Sequence, residues 1–510
     1  MPEQLDQGSV FPSLQQPNTP APLPATPTPA LARCKKWFIK HPSWGAVICL
    51  GILFGVHLYT NRYHNNHYDS QGYWELANTY WSTGRFELLS FDSILRGYLF
   101  PLLLSPFTLL TAYLGWEPIN ITRAVGLSSA VVLFGVVGPG LWRTLQGPLA
   151  PTVPLGRRLV FGLLGFLLWR DYFNFSITDF LALLALLYSV WTLQRNRSIL
   201  SGLLAGIALA AAVNFRPVYA AALPLAALLC LWPQPTIPGQ PAHSLRVWVR
   251  RAAYVVGIAL TWYPQLLINQ VQFGVNSPLV ITAKTDGPSL YLYQLEGGLR
   301  FQKYETNVGS DYPRPQMLFD DPQGVNLARQ ADLGTVTSYE QYLHGVLQYP
   351  VELAGVIGRH FFNGLDLQYP SLYINKVYVR SWPMALLNYL VLLLGFFLLL
   401  RLCRQHLSRH ALPTVITVLT ILSPCVAALP IIMECRFLMP LHLLLCAVVA
   451  FETQPTVLWR RATVINRTLF LAAYAGLLVG CFAISMNSQL QLQLQPRRLF
   501  EWQAKPLQPW

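Results

Sequence analysis

Six charged side chains occupy positions where an apolar chain gains nothing from charge. Asp69 and Arg96 follow the first long apolar run, and Asp179 leads a later one. Arg216 falls in Asn214-Phe215-Arg216-Pro217, and Glu434 and Arg436 in Glu434-Cys435-Arg436-Phe437. Charge beside hydrocarbon is costly, so each needs a partner or a task. Asp69 can act as a general base on a hydroxyl. It can equally cap the helix expected over 71–80, where Tyr73, Leu76, Ala77 and Tyr80 share one face. Arg96, just before Gly97-Tyr98, offers a guanidinium that fits phosphate oxygens bidentately, or it simply snorkels at a helix end. Arg216 and the Glu434/Arg436 pair stand in very tight turns, where they can contact phosphate or sugar. Glu434 and Arg436 can also neutralise each other. Asp171 has Arg170 beside it, whereas Asp179 has no adjacent cation; the alternative for Asp179 is an anion at a helix N-terminus. Asp311, Asp320, Asp321, His344 and His360 show no informative spacing.

The elements that must position these groups are membrane helices. The chain has 510 residues, 53% hydrophobic and 11% charged, against about 25% charged in soluble domains. The expected fold class is an all-α polytopic membrane protein of about 11 spans. The spans are placed at 44–60, 124–142, 159–175, 177–193, 199–215, 217–233, 252–268, 383–400, 411–433, 437–451 and 468–486. Although the net charge is +14, the basic residues lie in short clusters between apolar runs: Arg33, Lys35, Lys36 and Lys40; Arg143, Arg157 and Arg158; Arg195 and Arg197; Arg246, Arg250 and Arg251; Arg401, Arg404 and Arg409; Arg460, Arg461 and Arg467. With the first cluster inside, alternation puts all of them on the cytoplasmic side, the pattern of loops facing anionic lipid and not of a nucleic-acid surface.

One apolar segment, 98–114, breaks this parity if it spans. It carries Pro101 and Pro106 and is read as a bent or re-entrant helix on the outer side. The expected organisation is then a disordered proline-rich cytoplasmic tail over 1–43, a transmembrane module over 44–268 with an external loop at 61–118, and a large external loop or cap over 269–381. Further transmembrane helices over 382–486 and a tail over 487–510 complete the chain. Within the cap, 351–362 has a roughly helical pattern. A cleavable signal peptide is not expected, since the first apolar run starts near Trp44 without a basic leader. The eight cysteines show no metal-ligand spacing and no disulfide framework.

In this order, the motifs resemble glycosyltransferases of the GT-C superfamily, which includes protein O-mannosyltransferases and the lipid A aminoarabinose transferases. The resemblance rests on Asp69-x-x-x-Tyr73 with Ala77, Arg96-Gly97-Tyr98…Pro101, Asp179 leading an apolar run, Gly202…Ala205-Gly206…Asn214-Phe215-Arg216-Pro217, and Glu434-Cys435-Arg436-Phe437…Pro440. It implies a polyprenyl-phosphate sugar donor, no separate cofactor, and catalysis on the non-cytoplasmic face. Asp69 becomes the base, Arg96 and Arg436 phosphate contacts, and Tyr98, Asp179, Arg216 and Glu434 further substrate contacts. Asp69-Ser70 stands where many eukaryotic-type members carry Asp-Glu, which directs the resemblance to bacterial members acting on lipid, glycan or protein acceptors in an inner membrane. Two rival classes remain open. A polysaccharide polymerase or ligase would draw on His344, Arg359 and His360, and a transporter would need repeated halves.

Overall fold

The computed structural model describes residues 37–493, apart from 62, 148–149, 196–197, 233–243, 284–288, 313, 378, 380, 407–410, 454–459 and 461–462. Most of the expected tails, 1–36 and 494–510, lies outside the described residues. Residues 37–41, with a helical turn at 37–40, belong to one unit. Residues 42–510 form a second unit, which holds the helical bundle, the cap and all six of the charged residues above.

Helices make up most of this second unit. α1 (Pro42–Tyr59), α2 (Tyr68–Thr79), α3 (Leu99–Leu114) and α4 (Pro118–Leu145) lead to α5 (Leu155–Trp169), α6 (Asp179–Arg195), α7 (Ile199–Phe215), α8 (Leu223–Leu231) and α9 (Ser244–Phe273). The cap holds α10 (Leu290–Arg300), β1 (Phe301–Asn307), β2 (Gln316–Asp320), α11 (Pro322–Gln330), α12 (Tyr339–Leu347), α13 (Pro350–Leu365) and β3 (Tyr373–Ile374). After it come α14 (Trp382–His406), α15 (Ala411–Ala428), α16 (Met439–Glu452) and α17 (Val464–Leu490), then β4 (Leu492–Gln493). Among the described residues, five helices are long and apolar enough to cross a membrane: α1, α4, α14, the helical run Cys435–Glu452 that contains α16, and α17. The chain is a mostly helical, membrane-embedded protein.

The chain is mostly helical, as the all-α expectation has it, and the cap adds one small sheet. Its four strands are ordered β3-β1-β2-β4, with β1 antiparallel to β2, β2 antiparallel to β4 and β1 parallel to β3. These strands are two to seven residues long, too short to show against the helical periodicity around them. The edge strand β4 comes from beyond α17, so the expected tail begins as part of the cap. The helix expected over 351–362 is present within α13.

Hydrogen bonds at helix ends sort the bundle into two faces. At one, Gln146 donates to Glu452 (3.0 Å), Arg157 to the Phe451 carbonyl, Arg250 to the Leu193 carbonyl and Arg251 to the Leu231 carbonyl (2.6 Å). At the other, Tyr59 donates to the Asn120 carbonyl (3.2 Å), His57 pairs with Asp171 (2.7 Å) and Arg216 with Asp179. Arg157, Arg250 and Arg251 thus lie at the face opposite the candidate site.

α3 begins and ends at the site face. Its first amide, Leu99 N, donates to Asn214 Oδ1 in the last turn of α7 (2.9 Å). Its C-cap Gly115 adopts φ 65°, and α4 opens three residues later, beside Tyr59. The 16 residues of α3 rise about 24 Å, yet they return to the face they left. Proline is not the reason. Pro106 cannot donate to the Leu102 carbonyl, and the Ser105 hydroxyl takes that acceptor instead (3.0 Å). Ser423 repairs the Thr420 carbonyl freed by Pro424 in the same way (2.9 Å). In α4, Pro139 frees the Gly135 carbonyl within a π-helical stretch, Leu133–Val137, and Arg158 donates to it.

α7 and α9 approach backbone to backbone, and a Cβ on Gly206 would lie 2.0 Å from the Tyr254 carbonyl oxygen. Gly206→Ala is expected to cost about 1–3 kcal/mol, read as a lower detergent-solubilised Tm. Gly51→Ala, with nothing within 4 Å of the new methyl, should leave Tm unchanged.

Candidate active site

Five separate segments deliver the six charges to one place. Asp69 lies in the first turn of α2, Arg96 precedes α3, Asp179 opens α6, Arg216 comes just after α7, and Glu434 and Arg436 link α15 to α16. Arg96 donates to Asp69 Oδ1 at 2.7 Å. Arg436 reaches Asp69 Oδ2 and Asp179 Oδ2, each at 3.5 Å, and Glu434 at 2.6 Å. Arg216 closes the chain on Asp179 Oδ1. Arg96 also lies 4.5 Å over the Tyr73 ring, and Arg216 and Arg436 flank Phe437 at 5.3 and 5.8 Å, so aromatic faces share in holding the guanidiniums.

Neutral hydrogen bonds behind the charges set their spacing. Ser70 accepts from Ser176 N at 2.8 Å, and Ser176 Oγ donates to the Ser70 carbonyl at 2.9 Å, with both serines buried. Tyr73 and Thr178 hydroxyls meet at 3.2 Å. These bonds tie the start of α2 to the segment entering α6, and so tie Asp69 to Asp179. Ser70 is fully buried in these bonds, so its hydroxyl is part of what ties the two segments together. On the other side, Asn214 Nδ2 donates to Gln265 (3.0 Å), and Gln265 Nε2 to Asn269 (2.9 Å). The backbone at Gly97 presses on Asn214, where a Cβ would sit 2.1 Å from its carbonyl oxygen. Position 97 therefore admits only glycine, and Arg96 is delivered beside the end of α7.

Exposure separates the three carboxylates. The Asp69 side chain is 34% exposed, against 3% for Asp179 and 14% for Glu434. Burial pulls the Asp69 pKa up, but Arg96, Arg436 and Arg216 outweigh it and hold the carboxyl well below the ordinary range. Its folded pKa being depressed, Asp69 contributes stability above about pH 3.9, and this is lost as pH falls through the folded value. For Glu434 the balance reverses: burial raises its pKa despite Arg436. Beside Glu434 lies a cavity of about 20 Å³, lined by Tyr172, Tyr304, Glu305, Ser371 and Cys435 among others, room for roughly one water. Among the described residues no group of three or more His, Cys, Asp or Glu is arranged as metal ligands.

Of the seven residues singled out in the sequence, six converge and one does not. Tyr98 is buried with Tyr80, Phe91 and Ile268, and its hydroxyl donates to the Thr261 carbonyl (2.9 Å), so it packs behind the cluster instead of lining it. The capping alternative for Asp69 does not describe the helix: the N-cap is His67, and the carboxylate of Asp69 points at arginines. Asp171 pairs with His57 (2.7 Å) and Asn61 (3.0 Å), not with Arg170, and lies apart from the cluster. His344 bonds Gln348, Arg359 pairs with Asp321 (2.7 Å), and the buried His360 contacts the backbone carbonyls of Leu429 and Phe301, so these three form no joint site. Sequence reasoning gave no role to Ser176, Thr178, Gln265 and Asn269, and named Ser70 and Phe437 only as members of motifs. Only Gln265 and Asn269, amides four residues apart at the end of an apolar run, left a readable signal.

No family model matches the chain, and no curated protein or solved structure is similar enough to count as a match.

Removing Arg436 takes from the buried Glu434 its 2.6 Å partner, while Asp69 keeps Arg96 and Asp179 keeps Arg216. Arg436→Gln is expected to destabilise by about 3–5 kcal/mol, the cost of an uncompensated buried charge. The double variant Glu434→Gln/Arg436→Gln should recover part of that loss in thermal unfolding; a double variant no more stable than the single would show that the pair is not coupled.

Proposed function

We propose that the chain is a membrane glycosyltransferase that moves a sugar from a polyprenyl-phosphate donor to a hydroxyl of a lipid, glycan or protein acceptor. The observation that carries this reading is the convergence of three guanidiniums and three carboxylates at the face opposite Arg157, Arg250 and Arg251. On this reading the bundle has about eleven spans, with the shorter apolar helices joining the five long ones. The site face is external, the membrane a bacterial inner membrane, and the resemblance to the GT-C superfamily one of descent.

The chemistry assigns the charges distinct tasks. Asp69, the most exposed of the three carboxylates and held ionised by its arginines, accepts the proton of the acceptor hydroxyl. The freed oxygen attacks the anomeric carbon as the bond from that carbon to the donor phosphate breaks, which inverts the configuration. The electron pair stays on the departing polyprenyl phosphate, whose added negative charge meets Arg216 and Arg436. Arg96, stacked on Tyr73 and bonded to Asp69, orients the base. Glu434, whose proton affinity burial has raised, takes up a proton more readily than Asp69 when the donor anion enters.

The rival readings find less support. A ligase site built on His344, Arg359 and His360 would need those side chains together, and they are engaged separately. A transporter site would be placed near mid-membrane, whereas these charges sit at helix ends.

Purified protein offered a panel of radiolabelled polyprenyl-phosphate sugars should transfer label from one of them to an acceptor fraction. Asp69→Asn should lower turnover by about 10²–10⁴-fold with donor binding retained. Unchanged turnover in Asp69→Asn, or no transfer from any donor by the wild type, would remove this reading.

A further inference from the structure

Cap helix α12 carries an apolar stripe that no described residue covers. Tyr339, Leu343 and Leu347 recur every four residues and Val351 continues the line into α13, with exposures of 47, 52, 65 and 78%. The same helix buries Tyr342 and Val346 in the cap core, while Glu340, His344 and Gln348 form a third, polar face. A soluble surface rarely concentrates large side chains in this way.

Two contacts set the depth of this stripe. The Tyr339 ring lies 6.4 Å from that of Tyr291, whose hydroxyl donates to the Ala427 carbonyl (2.8 Å) in the last turn of α15. α15 exposes Leu412, Val415, Leu419 and Val426 along one side, so its outward apolar face ends where Tyr291 and Tyr339 begin. On the other flank, Phe361 of α13 lies 6.4 Å from Phe396, well inside α14. The Tyr291 contact holds α12 at the end of α15, and the Phe361 contact sets α13 against the side of α14, so the stripe continues the exposed apolar faces of these helices.

We propose that Tyr339, Leu343, Leu347 and Val351 form an interfacial contact with the bilayer, seating the cap in the headgroup–acyl boundary of the leaflet on its own side. Residues 339–351 contain no Lys or Arg, so the contact is made by apolar area and a Tyr at the interface, without selection for anionic lipid. It is independent of which reaction the charged cluster performs.

The test uses the full-length chain, depleted of its native cysteines and reconstituted in phosphatidylcholine vesicles. A nitroxide is placed at Leu347→Cys or, on the polar face of the same helix, at His344→Cys. At 347, collision with oxygen should exceed collision with a water-soluble nickel chelate several-fold, and at 344 the order should reverse. Equal access of the chelate to both positions would overturn the proposal. So would low access of both reagents to 347, the signature of a protein partner on the stripe.

Discussion

Three guanidiniums and three carboxylates, drawn out of bulk water at the end of an apolar bundle, have to neutralise one another. Each such ion costs several kcal/mol to desolvate even after relaxation, so the arrangement persists only if every charge has a partner at close range. Arg436 meets that demand for three carboxylates at once, because it touches Asp69, Asp179 and Glu434. Moving any one of the five contributing segments strands a charge on another. The architecture around the cluster reflects that constraint: Ser70 and Ser176 fix α2 to the entry of α6, and Asn214, Gln265 and Asn269 fix the end of α7 to α9. Neutral hydrogen bonds, which lose little on burial when paired, thereby place charges that would otherwise repel or drift.

A balanced cluster is also a responsive one. Asp69 remains the one carboxylate with open access, and its arginines keep it ionised. Glu434 is pushed the opposite way by burial. Two carboxylates that share Arg436 thus have opposed proton affinities, the pattern expected where one group takes a proton and another tunes the local charge. On the proposed reading, an incoming phosphate replaces a carboxylate as the partner of Arg216 and Arg436, so the same contacts that stabilise the empty site are exchanged and not merely added to.

Much of this was legible in the sequence, for identifiable reasons. Charge in an apolar chain is conspicuous, so Asp69, Arg96, Asp179, Arg216, Glu434 and Arg436 could be singled out by type alone. Tyr98 misled because its neighbours Arg96 and Gly97 are constrained by the site while its own side chain turns into the packing. The prolines of α3 misled more subtly: Ser105 repairs the broken bond, and it is the anchoring of both ends at one face that keeps the helix from crossing. Strands of two residues, and serines that act only through a partner a hundred positions away, leave no local pattern. Pairing across such distances is written in the fold and not in any window of sequence.

The most direct test of the central claim is the location of a bound lipid phosphate. A structure of the full chain with a polyprenyl monophosphate should show the phosphate between the guanidiniums of Arg216 and Arg436, with at least one of their carboxylate contacts opened and Asp69 still held by Arg96. A phosphate bound elsewhere, with every ion pair of the six-charge cluster still closed, would contradict the account.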